Sequence, residues 1–273
     1  MTFNYNIQSY SYNKVLESPF LCPYTLKEYQ ILVELSKKVF NKDFTNDICV
    51  RLDGCKQIEG NTILTISRVC FYDFLLTNFL YFNYKKITNA SSPKERKIIE
   101  QFYLNLTKDE TMSCFSDIIE KKQLSNILAV SCLVSDGKKF LITKRNGNVG
   151  ISNNFYSTTV TGSIDGEDFI TDDPIKSCCA REFLEETNYN ISPEQMVLKK
   201  IVLGQKKIQP IALIDIKVNN IDDIVNSINN YKGFQEENNG YYVCNSNEIK
   251  HLLEDNYSLF TEATKTHLEE KLK

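Results

Sequence analysis

The stretch from residue 173 to residue 188 most constrains the fold, because it carries both a helix start and a helix stop. Asp173 can cap the free amides of a first turn, and Pro174 suits the first helical position. Asn188 tolerates the left-handed conformation that commonly follows a last turn. The sequence therefore predicts a helix over Pro174–Thr187.

Three glutamates on this predicted helix, Glu182, Glu185 and Glu186, stand at i, i+3 and i+4 and share one face. Their repulsion costs about 0.2–0.5 kcal/mol per pair even when exposed, and burial would raise their pKa values. A divalent cation removes that conflict, and hard oxygen ligands favour Mg²⁺ or Mn²⁺ over zinc. Arg181 can pair with Glu185 at i+4. A solvated acidic face is the commoner origin of such a pattern. The surrounding sequence therefore has to distinguish a metal site from a solvated face.

β-like runs and a glycine-containing loop at Gly162 precede the acidic helix. The apolar runs 127–134 and 140–143 flank Asp136-Gly137, which is a strong hairpin signal. Residues 155–160 form another β-like run. After the helix, we expect strands at 199–203 and 208–218 and helices at 221–231 and 259–272.

The first 124 residues have a different character and are interpreted as a separate, smaller domain. They predict an amphipathic helix at 24–40, a hairpin from the runs 48–52 and 62–66, a buried helix at 71–82, and charged helices at 94–122 that start at Ser92-Pro93. This α+β domain has no role that the sequence reveals. It could cover a catalytic cleft, set substrate choice or form a homodimer.

Composition restricts the classes of partner and the compartment. The 273 residues include 32 Lys and Arg and 35 Asp and Glu, so the net charge of −3 argues against wholesale binding to duplex nucleic acid, although a local basic groove stays open. Nine scattered cysteines and two histidines predict free, mostly buried thiols and no zinc site. With no signal-peptide pattern and no run of about 18 apolar residues, we expect a cytoplasmic protein without a membrane span.

Residues 181–189, Arg-Glu-Phe-Leu-Glu-Glu-Thr-Asn-Tyr, resemble the distal half of the Nudix box. That box reads Gly, five residues, Glu, seven residues, then Arg-Glu-apolar-x-Glu-Glu-x-Gly-apolar. The resemblance implies an α/β fold, a Nudix-type α/β/α sandwich with a mixed sheet over residues 125–273, preceded by the smaller α+β domain of residues 1–124. It also implies Mg²⁺- or Mn²⁺-dependent hydrolysis, by water attack on phosphorus, of a diphosphate linkage in a nucleoside diphosphate derivative of the ADP-ribose, dinucleotide or nucleotide-sugar type.

The proximal half of the box departs from this pattern. Asn188 replaces the final Gly, and counting back from Arg181 puts Asp173 at the proximal Glu position. Alternatively, Gly166-Glu167 is the usual Gly-Glu pair, with thirteen residues before Arg181 and hence a six-residue insertion (13 − 7). The insertion is the preferred interpretation, and Gly162 is then the loop glycine whose carbonyl faces the metal.

The resemblance assigns a role to each candidate residue. The candidate metal ligands are Glu182, Glu185, Glu186, the Gly162 carbonyl and Glu167. The candidate catalytic residues are Arg181 and three alternative general bases, Glu182, Glu236 and Glu237, the last two expected in a loop before the apolar run 241–243. The candidate substrate contacts are Arg145 for the diphosphate and Phe155, Tyr156, Phe234 and Tyr241 for a base, all four aromatics being more typical of a core.

Two other functions stay open. The first is a catalytically weak, Nudix-like nucleotide-binding module, which the imperfect proximal box favours. The second is an RNA 5′-end pyrophosphohydrolase, supported only by the pairs Lys199-Lys200 and Lys206-Lys207. The isomerases that share this fold need a catalytic Cys motif that the sequence does not contain.

Overall fold

The computed structural model describes residues 2–108, 114–146, 154–204, 208–229 and 231–272. The chain divides into two compact units. The first comprises Phe3–Leu128 and Leu203–Pro210, and the second comprises Ala129–Val202 and Ile211–Lys273. Each unit is described by itself below.

The N-terminal part of the chain contains a small three-stranded sheet and several helices. Its elements are β1 (Thr2–Asn6), β2 (Tyr10–Lys14), α1 (Leu26–Phe40), β3 (Ile48–Ile58), β4 (Asn61–Cys70), α2 (Phe71–Leu76), α3 (Asn78–Phe82), α4 (Tyr84–Ala90), α5 (Pro93–Lys108) and α6 (Phe115–Ile119). β3 and β4 form an antiparallel hairpin, and β2 pairs with β4 in parallel, so the strand order is β2-β4-β3.

The predicted helix at 24–40 and the predicted hairpin are confirmed, with different bounds. α1 starts after Thr25, whose side chain accepts from the amide of Glu28 in a capping box. The hairpin strands continue to a tight turn at Glu59-Gly60, where both residues have positive φ. The stretch expected to turn after residue 52 therefore remains β-structure, with an irregularity between Leu52 and Gly54.

The prediction of one buried helix over residues 71–82 is wrong, because the helix is broken at Thr77. The hydroxyl of Thr77 donates to the carbonyl of Asp73 at 2.5 Å. Asn78 is drawn into a buried polar network, with its Nδ2 3.0 Å from Oδ1 of Asn126. Side-chain bonds of this kind compete with the regular helix ladder. Arg51, also buried, pairs with Asp53 and donates to backbone carbonyls, which is a structural role.

The second unit contains the larger sheet. Its elements are β5 (Ala129–Ser135), β6 (Lys139–Arg145), β7 (Tyr156–Ser157), β8 (Val160–Ser163), α7 (Gly166–Phe169), α8 (Pro174–Thr187), β9 (Met196–Gly204), β10 (Pro210–Lys217), α9 (Ile221–Asn229), α10 (Lys232–Glu237), β11 (Asn238–Asn245), α11 (Ser246–Asp255) and α12 (Glu262–Lys271), with 3₁₀ turns at Pro193–Gln195 and Tyr257–Leu259.

The strands of this unit form a mixed sheet. Their order is β9-β10-β5-β6-β11, with β7 beside β6 and β8 beside β5. β10 and β5 are parallel, whereas the pairs of β5 with β6 and β8, and of β6 with β7 and β11, are antiparallel. The hairpin predicted at Asp136-Gly137 joins β5 to β6, and Gly137 takes a φ of 89°. The protein is thus a mixed α/β structure with a multi-stranded mixed sheet and a small second sheet.

Helices pack on both faces of the larger sheet. Cys132 of β5 contacts Cys179 of α8, with the two sulfurs 2.9 Å apart. The next residue of the strand, Leu133, packs with Phe260 and Leu268 in a separate cluster. Because successive strand residues point to opposite faces, α8 and α12 cover opposite sides of the sheet.

The predicted helix over Pro174–Thr187 is confirmed at both ends. Oδ1 of Asp173 accepts from the amide of Lys176 at 3.1 Å, and Asn188 ends the helix in the left-handed conformation with a φ of 54°. The nine cysteines are free thiols, and five of them are buried. Within the described ranges, the helices are all too short or too polar to span a lipid bilayer.

Candidate functional site

The acidic face of α8 packs closely against β8 at Gly162. A Cβ atom added to Gly162 would lie 2.0 Å from Cδ of Glu182, so only glycine leaves space for this carboxylate. Glu186, one turn further along, is buried with 6% of its surface exposed, whereas the side chain of Glu185 is 58% exposed. The three predicted glutamates therefore share one face of the helix but differ in their environments.

The guanidinium of Arg181 joins α8 to the preceding loop and to α7. Its Nη1 lies 2.9 Å from Oε1 of Glu182 and 3.3 Å from Oε2 of Glu185, so the predicted i, i+4 pair is present. Its Nη2 lies 2.9 Å from Oδ2 of Asp168, and its Nε lies 3.3 Å from Oδ2 of Asp165. One cation thus holds four carboxylates together.

Asp168 is a buried partner of Arg181 that the sequence interpretation missed. It is only 2% exposed, and Oδ1 accepts from the hydroxyl of Ser177 at 2.8 Å while Oδ2 faces Arg181. Five residues, 163–167, separate it from Gly162, which is the Gly-to-Glu spacing of the Nudix box. That spacing was the available signal, but Asp at a Glu position and the longer interval to Arg181 concealed it.

The two positions that sequence offered for the proximal acid both lie at the start of a helix. Glu167 is exposed in the first turn of the short helix α7, where its amide donates to Oδ1 of Asp165. Asp173 is the N-cap of α8. Asp168, the residue after Glu167, contacts Arg181 instead, and a metal-binding role for Glu167 stays a prediction.

Burial makes two of the predicted metal ligands unusually weak acids. Burial raises the pKa of Glu182 to about 7, although the charge of Arg181 lowers it in part. Burial also raises the pKa of Glu186 to about 8, where Arg145 opposes the shift and the charges of Glu182 and Glu237 add to it. Each of these carboxylates would be stabilised in its ionised form by a nearby cation.

The hydrogen bonds that reach Glu186 are long and come from neutral groups. The amide of Thr161 lies 3.4 Å from Oε1, and Nδ2 of Asn238 lies 3.4 Å from Oε2. Typical N–H···O bonds are about 2.9–3.0 Å long. The carboxylate of Glu186 is therefore contacted on both oxygens, but neither oxygen is closely satisfied.

Arg145, at the end of β6, lies next to this carboxylate. Its Nη1 donates to Oγ1 of Thr161 at 2.8 Å, and its Nη2 lies 3.5 Å from Oε2 of Glu237. Across the sheet Arg145 is paired with Asn238 of β11. Arg145 thus has a fixed position and an anionic neighbour, Glu237, at the edge of the acidic face.

Glu236 and Glu237 lie in the short helix α10, which corrects the prediction of a loop there. Gly233 allows this helix to approach α8, because a Cβ at that position would lie 2.9 Å from the carbonyl oxygen of Glu185. The amide of Asn146 donates to the carbonyl of Glu237 at 2.8 Å. This tertiary packing brings Glu237 beside Arg145, although Glu236 and Glu237 are both exposed.

The predicted aromatic contacts divide into buried and half-buried rings. Tyr156 is buried and stacks on Phe260 with ring centroids 4.8 Å apart. Phe234 is buried and meets the ring of Tyr241 edge-on at 6.2 Å. Phe155 and Tyr241 are half-buried. Base stacking on Tyr156 or Phe234 would require more exposed ring surface than this packing leaves.

The chemistry of the donors suits a hard divalent cation, although their present arrangement is not a closed metal site. Within the described part of the chain, three or more His, Cys, Asp or Glu side chains nowhere converge as a set of metal ligands. Six carboxylates are nevertheless gathered around two guanidinium groups: Asp165, Asp168, Glu182 and Glu185 around Arg181, and Glu186 and Glu237 near Arg145. This excess of carboxylates over guanidinium groups, with oxygen donors throughout, fits Mg²⁺ or Mn²⁺.

The lysines that suggested an RNA substrate give that function little support. Lys200 is half-buried and ion-paired with Glu270. Lys199 is half-buried, and Lys206-Lys207 lie outside the described residues.

Comparisons with known proteins do not identify a family. No family model matches the chain, and no curated protein matches it. Among solved structures, the crystal structure of DR0079 from Deinococcus radiodurans has a TM-score of 0.33 and 11% identity, covering 47% of this chain and 73% of that chain. A bifunctional NMN adenylyltransferase/ADP ribose pyrophosphatase from Francisella tularensis has a TM-score of 0.33 and 12% identity, covering 96% and 91%. Similarities at this TM-score support no inference about fold or function.

Proposed function

We propose that the second unit is a Nudix-type α/β/α sandwich that hydrolyses a diphosphate linkage in a nucleoside diphosphate derivative, using Mg²⁺ or Mn²⁺. The observation that carries this proposal is a pair of carboxylates, the half-buried Glu182 and the buried Glu186, on a face of α8 that packs against Gly162. Burying like charges side by side is costly, and such a cluster is typical of a site that binds a cation.

The residues that would hold the metal are Glu182, Glu185, Glu186 and the carbonyl of Gly162, with Glu167 as a further candidate. When bound, the metal neutralises phosphate charge and lowers the pKa of a coordinated water. The exposed side chain of Glu185 is free to rotate away from Arg181, because their 3.3 Å contact is a surface ion pair of a kind worth about 0–1 kcal/mol.

Arg181 and Asp168 would keep the acidic face in register. The buried carboxylate of Asp168 fixes the guanidinium of Arg181 from the α7 side, and Arg181 in turn contacts Glu182. Hydrogen-bonded partners of this kind orient the groups that bind a metal. Arg181 therefore acts by positioning carboxylates rather than by contacting substrate.

Arg145 is the residue we assign to the diphosphate. A guanidinium binds phosphate oxygens through a planar fork of donors. The bond from Arg145 to Oγ1 of Thr161 fixes the orientation of the fork, and the 3.5 Å contact with Glu237 can be exchanged for a phosphate oxygen.

A group near the metal must accept the proton of the attacking water. Glu182 and Glu237 are the two better candidates. Glu182 lies on the face of α8 that would hold the metal and its coordinated water. Glu237 contacts Arg145, where a diphosphate would bind, and this ion pair favours it over Glu236.

The test is product identification by mass spectrometry from a nucleotide library with Mg²⁺ in H₂¹⁸O. We expect one phosphate-containing product to carry ¹⁸O, and Glu186→Gln to lower kcat at least about 100-fold, in line with losing a group that organises the metal. Glu254→Gln, on the exposed surface of α11, is the matched control and should retain wild-type kcat. Equal turnover by wild type and Glu186→Gln would refute the assigned metal site.

The second candidate is a nucleotide-binding module with weak or no turnover. It is favoured by the pairing of both Glu182 and Glu185 with Arg181, which leaves the carboxylates turned toward a cation of the protein itself. Tight nucleotide binding by calorimetry, together with no ¹⁸O-labelled product, would select this alternative.

A further inference from the structure

Glu186 is held from two sides by neutral donors. The backbone amide of Thr161 reaches Oε1, and the side-chain amide of Asn238 reaches Oε2, each over 3.4 Å. Asn238 is itself buried, with 4% of its surface exposed. It is therefore not a surface residue that happens to lie near the carboxylate.

We infer that Asn238 is a positioning residue that orients the carboxylate of Glu186 for metal binding. The inference rests on the proposed function, because it concerns the same site. Asn238 would contact neither the metal nor the substrate. Its role is to fix the orientation of Oε2 of Glu186, so that the remaining lone pairs of the carboxylate can bind the metal.

An irregularity in the sheet aims Asn238 at this position. β11 pairs with β6 in the register Asn238 to Arg145 and Gly240 to Lys144, which leaves Asn239 as an extra residue. Such β-bulges bend a strand and re-aim side chains, and they are frequent beside active sites. Because directly opposed residues share one face of a sheet, Asn238 and Arg145 approach Glu186 together, and the charge of Arg145 acts on Glu186.

A neutral amide is well suited to this task. A lysine or arginine in its place would neutralise Glu186 and compete with a metal for the same carboxylate. The amide donates one hydrogen bond without adding charge, and at 3.4 Å it leaves the oxygen incompletely satisfied. The carboxylate is thus oriented but still available as a ligand.

The inference predicts a loss of metal affinity when the donor is removed. Asn238→Leu has a similar volume and no donor, Asn238→Ala removes the side chain, and Asn238→Ser retains a small hydroxyl donor. We expect the Mn²⁺ dissociation constant, measured by electron paramagnetic resonance of free Mn²⁺, to rise about 10- to 100-fold in the Leu and Ala variants and less in the Ser variant. The KM for substrate should stay within about twofold of wild type at saturating metal, since a positioning role acts on metal binding.

The matched control is Asn239→Ala. Asn239 is the same residue type one position along the strand, but it is exposed. It should bind Mn²⁺ with wild-type affinity. Thermal unfolding of each variant in EDTA establishes that it is folded, and if the Leu variant does not fold, the comparison of Ala with Ser decides.

The two proposals fail in different ways. Suppose that Glu186→Gln binds Mn²⁺ more weakly than wild type. The role of Asn238 would then be overturned by wild-type Mn²⁺ affinity in the folded Asn238 variants, or by equal Mn²⁺ affinity in the Ala and Ser variants. If Glu186→Gln binds Mn²⁺ as tightly as wild type, the metal site of the proposed function is itself wrong, and the positioning role falls with it.

Discussion

Asp168 Oδ2 accepts a hydrogen bond from Arg181 Nη2 at 2.9 Å, and this contact joins the short helix α7 to the acidic helix α8. Asp168 is almost completely buried, so the carboxylate depends on Arg181 and on the hydroxyl of Ser177. Asp168 and Arg181 lie in different helices, and the fold brings them together.

Replacing Asp168 with Asn should destabilise the second unit. The substitution preserves shape but removes the charge that Arg181 contacts, and the loss of a charged buried hydrogen bond costs about 1–3 kcal/mol. We expect urea denaturation to report a lower free energy of unfolding by that amount. Glu167→Gln, at the exposed neighbouring position, should change it by no more than about 0.5 kcal/mol. A larger loss in Glu167→Gln than in Asp168→Asn would contradict the assignment of Asp168 as the partner of Arg181.

The buried carboxylate of Glu186 predicts a stability that falls as pH rises when no metal is present. Its pKa of about 8 in the folded protein lies above the ordinary value of 4.5. The folded state therefore binds more protons between these values, and ∂ΔG/∂pH is negative there. The contribution of Glu186 to the free energy of unfolding is fully present below about pH 4.5 and is lost as pH rises through about 8.

The measurement is urea denaturation at pH 5 and pH 8.5, with EDTA and with Mg²⁺. Because other groups also titrate, the informative quantity is the difference between wild type and Glu186→Gln. In EDTA, this difference in the free energy of unfolding should change between pH 5 and pH 8.5. The change with pH should be smaller when Mg²⁺ is added, since the metal stabilises the ionised carboxylate. If the difference in EDTA is the same at both pH values, the pKa of Glu186 is not raised by folding.

Gly162→Ala should displace the carboxylate of Glu182. The new Cβ would meet the Cδ and Oε1 atoms of that side chain at 2.0 and 2.2 Å, and both belong to a flexible group that can rotate away. We therefore expect a stability loss of about 1–3 kcal/mol together with a large loss of Mn²⁺ binding. Gly54→Ala, where a Cβ meets nothing within 4 Å, is the control. Unchanged Mn²⁺ affinity in Gly162→Ala would exclude Glu182 as a ligand.

The sequence predicted the acidic helix well because its ends depend on local interactions. Asp173 and Asn188 act on backbone groups within one turn of themselves, so their types alone indicate both boundaries. The Asp136-Gly137 hairpin was predictable for the same reason. The contact between Asp168 and Arg181 was not predicted, because the two residues lie in different helices and meet only in the folded unit.

Features that depend on tertiary contacts were not accessible from the sequence. The break at Thr77 follows from a buried network that involves Asn126, far along the chain. The helix α10 forms where Gly233 lets the backbone approach α8, so a stretch rich in Glu and Asn had no local pattern that distinguished it from a loop. The bounds of α8 were therefore predictable from local sequence, whereas the contacts between separate elements were not.

A further prediction concerns the opposite face of the sheet, where Asp215 of β10 meets α12. Nε2 of His267 lies 2.8 Å from Oδ1 of Asp215, and Nζ of Lys271 contacts Oδ2. Burial alone would raise the pKa of Asp215, but the hydrogen bonds from His267 and Lys271 hold it below its ordinary value of 3.8. Its contribution to stability is therefore present above about pH 3.8 and is lost as pH falls through the lower folded-state pKa.

Asp215→Asn should lower the free energy of unfolding by about 1–3 kcal/mol at pH 7. The difference from wild type should shrink at pH 2.5, because below the ordinary pKa of 3.8 the unfolded chain binds a proton more readily than the folded protein. Urea denaturation at the two pH values measures both differences. Asp222→Asn, at an exposed position of α9, should have a small effect at either pH. If Asp215→Asn were equally destabilising at both pH values, the loss would come from packing of the side chain, and the charge of Asp215 would not be what ties α12 to the sheet.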